Sequence, residues 1–363
     1  MKQHIVIIGS VSSVHVLRWA DALTDRGYRI TIITLHKRLC YTPDHINEIE
    51  IIRLPVPNPI GYILNVPFVR RIVHKLNPDI VHSFYALGHG FLGRMSGGKP
   101  HLISVLGSDI FDDIHVRKVY KTITEKNLRS ADCVASTSLV MAKEIRKLCG
   151  NDFPIKITPF GVDTDQFAWT DRSGRTYDTQ PFRFGTVKWL EPKYGVDVLI
   201  TSFARFMEEM NQPNAELMIV GDGKQRSELE KLASSLGVEE KCKFIGSVSH
   251  QNVPFWLEKL DIYMALSQLN SESFGVAILE ASSTGLSVIV SDVGGLPEVV
   301  QHGHSGFVVQ HNNVAEIVKK MKKLYISSSK RLEMGRKGRN LVLNKYKWEQ
   351  SVDMMIDIYK SII

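Results

Sequence analysis

Ser267–Val300 reads SQLNSESFGVAILEASSTGLSVIVSDVGGLPEVV, and its interpretation decides that of the whole chain. It holds two glutamates, Glu272 and Glu280, eight positions apart. Phe274 and Gly275 follow the first, and the apolar run Val276 to Leu279 leads into the second. A helix over that interval would be ~12 Å long at ~1.5 Å per residue. The pattern predicts Glu272 in the loop ahead of the helix and Glu280 two turns inside it. A helix N-terminus behind a small residue offers its free N–H groups to an anion. Two carboxylates beside it can hold hydroxyl groups while the backbone holds phosphate. A sugar joined to a nucleotide through a diphosphate carries both kinds of group. The other reading of the same pair is a buried amphipathic helix with two glutamates in solvent.

Working outward, Ser287 to Val290 reads as a strand, and Asp292-Val293-Gly294-Gly295-Leu296-Pro297-Glu298 follows it. Adjacent glycines let a backbone turn tightly and approach a ligand. Pro297 suits the start of the next helix. The whole stretch resembles the donor-site signature of the retaining glycosyltransferases of family 4, which have the GT-B fold. In that family the motif is Glu, seven residues, Glu, then a GG-x-PE turn. Each part stands here at that spacing.

A chain of 363 residues suits two domains. Its 44% hydrophobic content is that of a globular protein with a core. No apolar run reaches the ~18 residues that span a bilayer. Met1-Lys2-Gln3-His4-Ile5 leads straight into a strand, so no signal peptide is expected and the protein is placed in the cytoplasm. Cys40, Cys133, Cys149 and Cys242 show no pairing or metal spacing and are expected as free thiols. The net charge of +7 is uneven. Residues 1–170 hold 21 Lys+Arg against 15 Asp+Glu, and the remainder 24 against 23. A basic first half attracts nucleic acid, anionic lipid or a phosphorylated substrate, or serves solubility alone.

The chain opens as strand, loop, helix and strand: His4 to Gly9, a small polar segment, Val16 to Arg26, then Arg29 to Leu35. This is the start of a doubly wound α/β domain. The loop lacks G-x-G-x-x-G, which argues against a nicotinamide dehydrogenase. Further strands are expected at Glu50 to Leu54, Asp79 to Ser83, His101 to Val105 and Asp132 to Ser136. Val116 to Arg129 and Pro67 to Lys75 are helical in pattern, with basic and apolar residues interleaved. Such faces suit an anionic membrane interface, and equally an ordinary helix with one wet side. Asp171 to Pro181 is polar with Gly and Pro and reads as a linker. A second α/β unit follows, with strands at Phe184 to Val187, Glu216 to Val220, Lys243 to Gly246 and within Leu260 to Leu266. Tyr346 to Ile363 reads as a final helix.

The resemblance extends over most of the chain and implies two facing Rossmann-like domains with a cleft between them. It places an acceptor-binding domain at 1–170, the linker at 171–181, a nucleotide-sugar domain at 182–345, and a last helix, 346–363, crossing back to the first domain. Gly9, Ser12, Ser13 and Arg18 would lie near the acceptor and the transferred sugar. Pro159-Phe160-Gly161-Val162-Asp163 resembles the family loop that ends the first domain, and puts Gly161 near the donor. Asp163-Thr164-Asp165 has the look of a metal-binding D-x-D, but it stands in that interdomain loop and is set aside. Val105-Leu106-Gly107-Ser108-Asp109 resembles a G-S-D variant, making Asp109 the polar candidate of the first domain. Leu106 stands where many members carry a histidine. Lys188 and Lys193 match the basic pair of the family's G-R-L-x-x-x-K-G loop, with lysine where arginine is usual. Gly221 and backbone groups near Val248 would lie along the nucleotide.

The implied reaction is transfer of a sugar, with retention, from a nucleotide-sugar, taken as a UDP-sugar. No essential metal or other cofactor is expected. Negative charge develops on the departing diphosphate, and Lys188, Lys193 and the amides near Phe274 and Gly275 would stabilise it. Glu272 would hold sugar hydroxyls and Glu280 the ribose. The acceptor is expected to be a glycan or lipid-linked glycan of surface polysaccharide synthesis. An anionic membrane's inner face is a possible partner, through the basic first domain, and no nucleic acid is expected. The alternatives are a GT-B epimerase and a nucleotide-sugar-binding protein without turnover.

Overall fold

The computed structural model describes residues 2–177 and 180–363. Asp178 and Thr179, inside the expected linker, lie outside the described residues. The chain forms two compact units, Met1–Pro159 with Ser351–Ile363, and Phe160–Gln350.

The first unit carries seven parallel strands: β1 (His4–Ile8), β2 (Arg29–Thr34), β3 (Glu50–Arg53), β4 (Ile80–Phe84), β5 (His101–Ser104), β6 (Cys133–Ser136) and β7 (Lys156–Ile157). Their order is β3-β2-β1-β4-β5-β6-β7. The strand order reverses between β1 and β4, which makes the carboxyl ends of those strands the natural crevice. β1 is buried along its whole length, as a central parallel strand covered on both faces should be. One face packs Val6, Ile8, Ile33 and Val81 against Val69, Val73 and Leu92. Towards the other edge of the sheet, Ile103 and Val134 pack with Leu128, Met141 and Ile145. The C-terminal helix, Trp348–Ile362, contributes Tyr359, whose hydroxyl lies 2.7 Å from His82 Nδ1 on β4.

The second unit has six parallel strands: β8 (Phe182–Val187), β9 (Ala215–Val220), β10 (Cys242–Gly246), β11 (Ile262–Ala265), β12 (Ser287–Ser291) and β13 (Gly306–Val309). Their order is β10-β9-β8-β11-β12-β13, so the reversal falls between β8 and β11. Phe182, Phe184, Leu217 and Ile219 pack with Phe203 and Phe206 of the Val196–Glu209 helix.

Three details depart from the sequence reading. The helical pattern Val116 to Arg129 is broken: Arg117 is extended, between a turn at Asp113–Val116 and the helix Lys118–Ser130. β7, only two residues long, and β13 were not anticipated. The segment from Phe160 belongs to the second unit, not to a first domain ending at 170 and a free linker. Val162 N donates to Tyr346 O, and Trp348 N donates to Val162 O. Arg172 is buried and donates to the carbonyls of Leu257, Leu260 and Thr284. Arg339 donates to those of Phe167 and Ser283. Guanidinium groups that satisfy carbonyls at helix ends bind a polar stretch as firmly as apolar packing would. Composition alone reads such a stretch as linker.

Candidate active site

The candidate donor residues gather where the second sheet reverses. Lys188 directly follows β8, and its N–H donates to Val220 O at 2.9 Å. The loop it opens is pressed against the loop after β9. A Cβ on Gly221, whose φ is +142°, would lie 1.8 Å from Lys188 O, and one on Gly223 would lie 2.4 Å from Leu190 O. The Gly-x-Gly pair therefore sets the position of Lys188 through backbone contact.

The loop after β11 carries Glu272. The paired glycines Gly294 and Gly295 pack on this loop. A Cβ at Gly294 would lie 2.1 Å from Glu272 O, and one at Gly295 would lie 2.2 Å from Ser273 O. Gly295 N donates to Glu272 O at 2.9 Å. So fixed, the Glu272 carboxylate meets Lys188 Nζ at 3.0 Å, with both side chains largely covered. Lys193 lies on the turn Pro192–Tyr194. The ammonium groups of Lys188 and Lys193 stand 4.5 and 4.9 Å from the Tyr194 ring centroid. Each ammonium is thus within cation–π reach of that ring. A pocket of about 230 Å³ adjoins them, lined by Lys188, Trp189, Tyr194, Gly221, Ser247 and Val248 among others.

The helix after Glu272 starts later than predicted, spanning Val276–Ser283, and Gly275 begins it in the left-handed conformation at φ +96°. Glu280 is thus its fifth residue, little more than one turn in. It is 7% exposed, which removes the reading of two solvent glutamates. Its Oε1 lies 2.8 Å from His250 Nε2. Tyr263, fully buried on β11, registers both carboxylates. Burial raises its hydroxyl pKa first, with Glu280 and then Glu272 adding to the rise. Phe274 turns its ring into an aromatic cluster with Phe160 and Tyr346, at 6.1 and 5.9 Å, so only its backbone is offered to a ligand. Gly161 is buried in the Phe160–Val162 segment beside that cluster. In Asp163-Thr164-Asp165, Asp163 Oδ1 accepts from Asp165 N and Gln166 N and so closes a turn.

In the first unit, Gly9, Ser12 and Ser13 stand at the carboxyl end of β1. A Cβ on Gly9 would lie 3.1 Å from the Val16 methyls, and Ser12 Oγ donates to Arg38 O. Ser13 precedes the helix Val14–Asp25 without capping it through its side chain. Arg18 is half-buried on that helix, and its charge acts on the Tyr41 hydroxyl. Asp109 is corrected. It is fully buried and accepts from the N–H groups of Ala86 at 2.7 Å, Gly107 at 2.9 Å and Leu106 at 3.1 Å. Burial pushes its pKa up to about 6 against those bonds. It ties the loops after β4 and β5 together, a positioning residue rather than a group that touches substrate. Gly107 is the N-cap of the short helix Ser108–Phe111 that follows.

Sequence reasoning missed three groups. His250 follows the very loop read as lining the nucleotide, and only its fold contact with Glu280 singles it out. His36 and His89 lie beyond β2 and β4 with ring centroids 6.3 Å apart. His89 Nδ1 faces Phe84 O at 2.9 Å, and burial, then the charge of His36, pushes its pKa down to about 4. Tyr85 holds a positive φ of 93° and donates its hydroxyl to Asp113 at 2.6 Å. Strain of this kind gathers at functional loops. Among the described residues no group of three or more His, Cys, Asp or Glu is placed to hold a metal ion. None of their helices is long and apolar enough to cross a membrane.

Residues 4–138 match the family described as glycosyl transferase 4-like, and residues 168–341 match glycosyl transferases group 1. The chain is 26% identical over 278 residues to a GDP-mannose-dependent phosphatidylinositol monomannoside mannosyltransferase of Mycobacterium tuberculosis, covering 74% of this chain and 71% of the relative. It is 24% identical to the N-acetyl-alpha-D-glucosaminyl L-malate synthase of Bacillus anthracis, covering 94% and 91%. Among solved structures, sucrose-phosphate synthase of Thermosynechococcus elongatus superposes with a TM-score of 0.83 at 20% identity, over 99% of both chains. Anabaena HepE, solved with UDP, gives 0.83 at 18% identity over 99% and 100%. With both units matched and the Glu-x7-Glu loop seated at the sheet's reversal, this chain belongs to the family-4 glycosyltransferases and has their GT-B fold.

Proposed function

We propose that this glycosyltransferase moves a sugar, with retention and without an essential metal, from a UDP-sugar to a glycan or lipid-linked acceptor of surface polysaccharide synthesis. The acceptor is met at the inner face of the membrane. The observation that carries the donor reading is the Lys188–Glu272 pair at 3.0 Å, beside Lys193 and the pocket lined by Gly221 and Val248. Glu272 neutralises Lys188. A donor diphosphate takes over that cation, with Lys193 beside it, and releases Glu272 to the sugar hydroxyls. The charge that grows on the leaving phosphate meets two ammonium groups already in place, so little reorganisation is needed. Lysine at 188 supplies charge without the bidentate fork of arginine. Glu280 holds the ribose hydroxyls, and the leaving phosphate itself takes the acceptor's proton.

The test is thermal shift against UDP-, GDP- and ADP-sugars, with and without EDTA, on the wild type and Glu280→Ala. A ligand at 100 times its Kd adds about 2.7 kcal/mol of stability. A shift with UDP-sugars alone, unchanged by EDTA and lost in Glu280→Ala, supports the reading. A shift with GDP-sugars alone overturns the base, and one abolished by EDTA overturns the metal-free mechanism. Leu106, where the family often has histidine, favours a second reading, a nucleotide-sugar-binding protein without turnover. Release of free nucleotide from a bound donor would exclude it.

A further inference from the structure

Residues 54–76, LPVPNPIGYILNVPFVRRIVHKL, contain no aspartate or glutamate. Across residues 51–108 the sole acid is Asp79, against Arg53, Arg70, Arg71, Lys75, Arg94 and Lys99. The turn of helix Gly61–Leu64 continues through Asn65, itself right-handed, into the helix Val66–Leu76. One stripe of this path is buried: Gly61, Asn65, Val69 and Val73, four residues apart. The opposite stripe divides along its length. Its beginning is apolar, with Ile60 62% exposed, Ile63 68%, Leu64 53% and Phe68 48%. Its end is basic, with Arg70, Arg71, His74 and Lys75 all exposed.

The fold holds this tip outward. The buried Asn65 side chain donates to Val56 O at 2.7 Å and accepts from Val56 N at 3.2 Å. A Cβ on Gly61 would lie 2.2 Å from Val56 O, and one on Gly88 would lie 2.5 Å from the Tyr62 ring. With the backbone pinned on three sides, the four apolar side chains have no path into the core. Scattered exposed apolar residues are ordinary, but four on one turn beside four basic residues mark a binding surface.

We propose that this tip inserts into an anionic lipid leaflet, with Ile60, Ile63, Leu64 and Phe68 among the acyl chains and the basic end of the helix at the headgroups. Arg71 and Lys75 lie three and seven residues beyond Phe68, about 5 and 10 Å along a helix. Entering tip first, the helix would hold those cations about 5 to 10 Å nearer the headgroups than Phe68. A second copy of the chain is a poor occupant, because the same cations would face each other and the segment 54–76 supplies no acid to pair with them. The surface lies wholly in the first unit, and vesicle binding needs no nucleotide-sugar. Its failure and that of the donor reading are therefore read separately.

The experiment is co-sedimentation of the full chain with vesicles of 70:30 phosphatidylcholine:phosphatidylglycerol and of phosphatidylcholine alone. It compares wild type, Ile63→Ser/Phe68→Ser and Arg70→Gln/Arg71→Gln, with far-UV circular dichroism to verify folding. A Phe68→Trp variant reports insertion through the fluorescence of the indole it introduces. The wild type should bind the anionic vesicles, and each double variant should bind them at least about tenfold less tightly. On binding, the emission of the introduced indole should shift to the blue and be quenched by brominated lipid. Anionic binding that survives Ile63→Ser/Phe68→Ser, or an indole left unquenched when the Phe68→Trp variant is bound, overturns insertion. Absence of vesicle binding, with a dimer that the serine variant dissolves, overturns the lipid in favour of a second copy.

Discussion

Lys188 and Glu280 show how single residues here take meaning from their neighbours. Lys188 is a cation at the carboxyl end of a central strand, and its partner is a carboxylate from the other side of the sheet reversal. Covering both charges costs desolvation that offsets their attraction, so the pair's value lies in where it holds charge rather than in stability. Glu280 is covered and faced by His250 at 2.8 Å. If that imidazole orients the carboxylate that holds the ribose, His250→Ala should raise the KM for the nucleotide-sugar about tenfold, with kcat changed less than about twofold, on the scale of one charged hydrogen bond. His250→Gln should restore part of it. Equal losses in kcat and kcat/KM would place His250 in the transition state instead.

At the scale of elements, glycine contacts and buried arginines do what apolar packing does elsewhere. The Gly221, Gly294 and Gly295 backbones let two loops pack on the residues that carry charge. The C-terminal helix is fixed to β4 by one polar contact in an apolar setting. Tyr359 Oη and Ser104 Oγ take the two nitrogens of His82, at 2.7 and 2.8 Å. Tyr359→Phe leaves a buried imidazole nitrogen unsatisfied and should cost about 1–3 kcal/mol. Urea denaturation gives that number, and a loss below ~0.5 kcal/mol would mean that the bond is not needed to dock the helix.

Across the molecule, pH acts mainly through buried histidines of the first unit. Burial pushes the pKa of His82 down to about 3, with His101 adding to it, and those of His89 and His101 down to about 4. An unfolded chain binds these protons near 6.5, and the folded one resists until about 4 or below. Stability from these groups is therefore full above 6.5 and falls with pH below it, by up to about 1.4 kcal/mol per pH unit for each histidine. Asp109 opposes them. Its folded pKa of about 6 exceeds its ordinary 3.8, so its protonation adds stability as pH falls between those values. The histidines outnumber it, and net loss is expected from pH 6.5 to 4. Unfolding free energies at pH 7.5, 6.5 and 5.5 should fall, and His89→Gln should flatten the fall. A flat profile in the wild type would remove the buried histidines as its cause.

Local spacing determined a great deal by itself. Alternation of apolar strands with helices announced two parallel α/β units, because strands covered on both faces must be apolar throughout. Glu272, Glu280 and the GG-x-PE turn were legible because all lie within thirty-odd residues of chain and each needs a fixed residue type. Lys188 and Lys193 stood out only through the resemblance of their loop to a family pattern, since spacing alone reads them as surface lysines. Only the tertiary structure decided what joins residues far apart in sequence. It set Lys188 against Glu272, 84 positions on. It showed the paired glycines packing on a loop and turned Asp109 from catalytic candidate to tie. It also drew Phe160–Arg175 into the second unit through arginines bonded to distant carbonyls. A hydrogen bond to a backbone carbonyl needs no particular residue at the acceptor, so it leaves no trace in the sequence around that acceptor. Of the exposed Ile60–Phe68 face the sequence marked only the part from Pro67 on, because apolar residues at helical spacing do not show which stripe the core takes until the fold does.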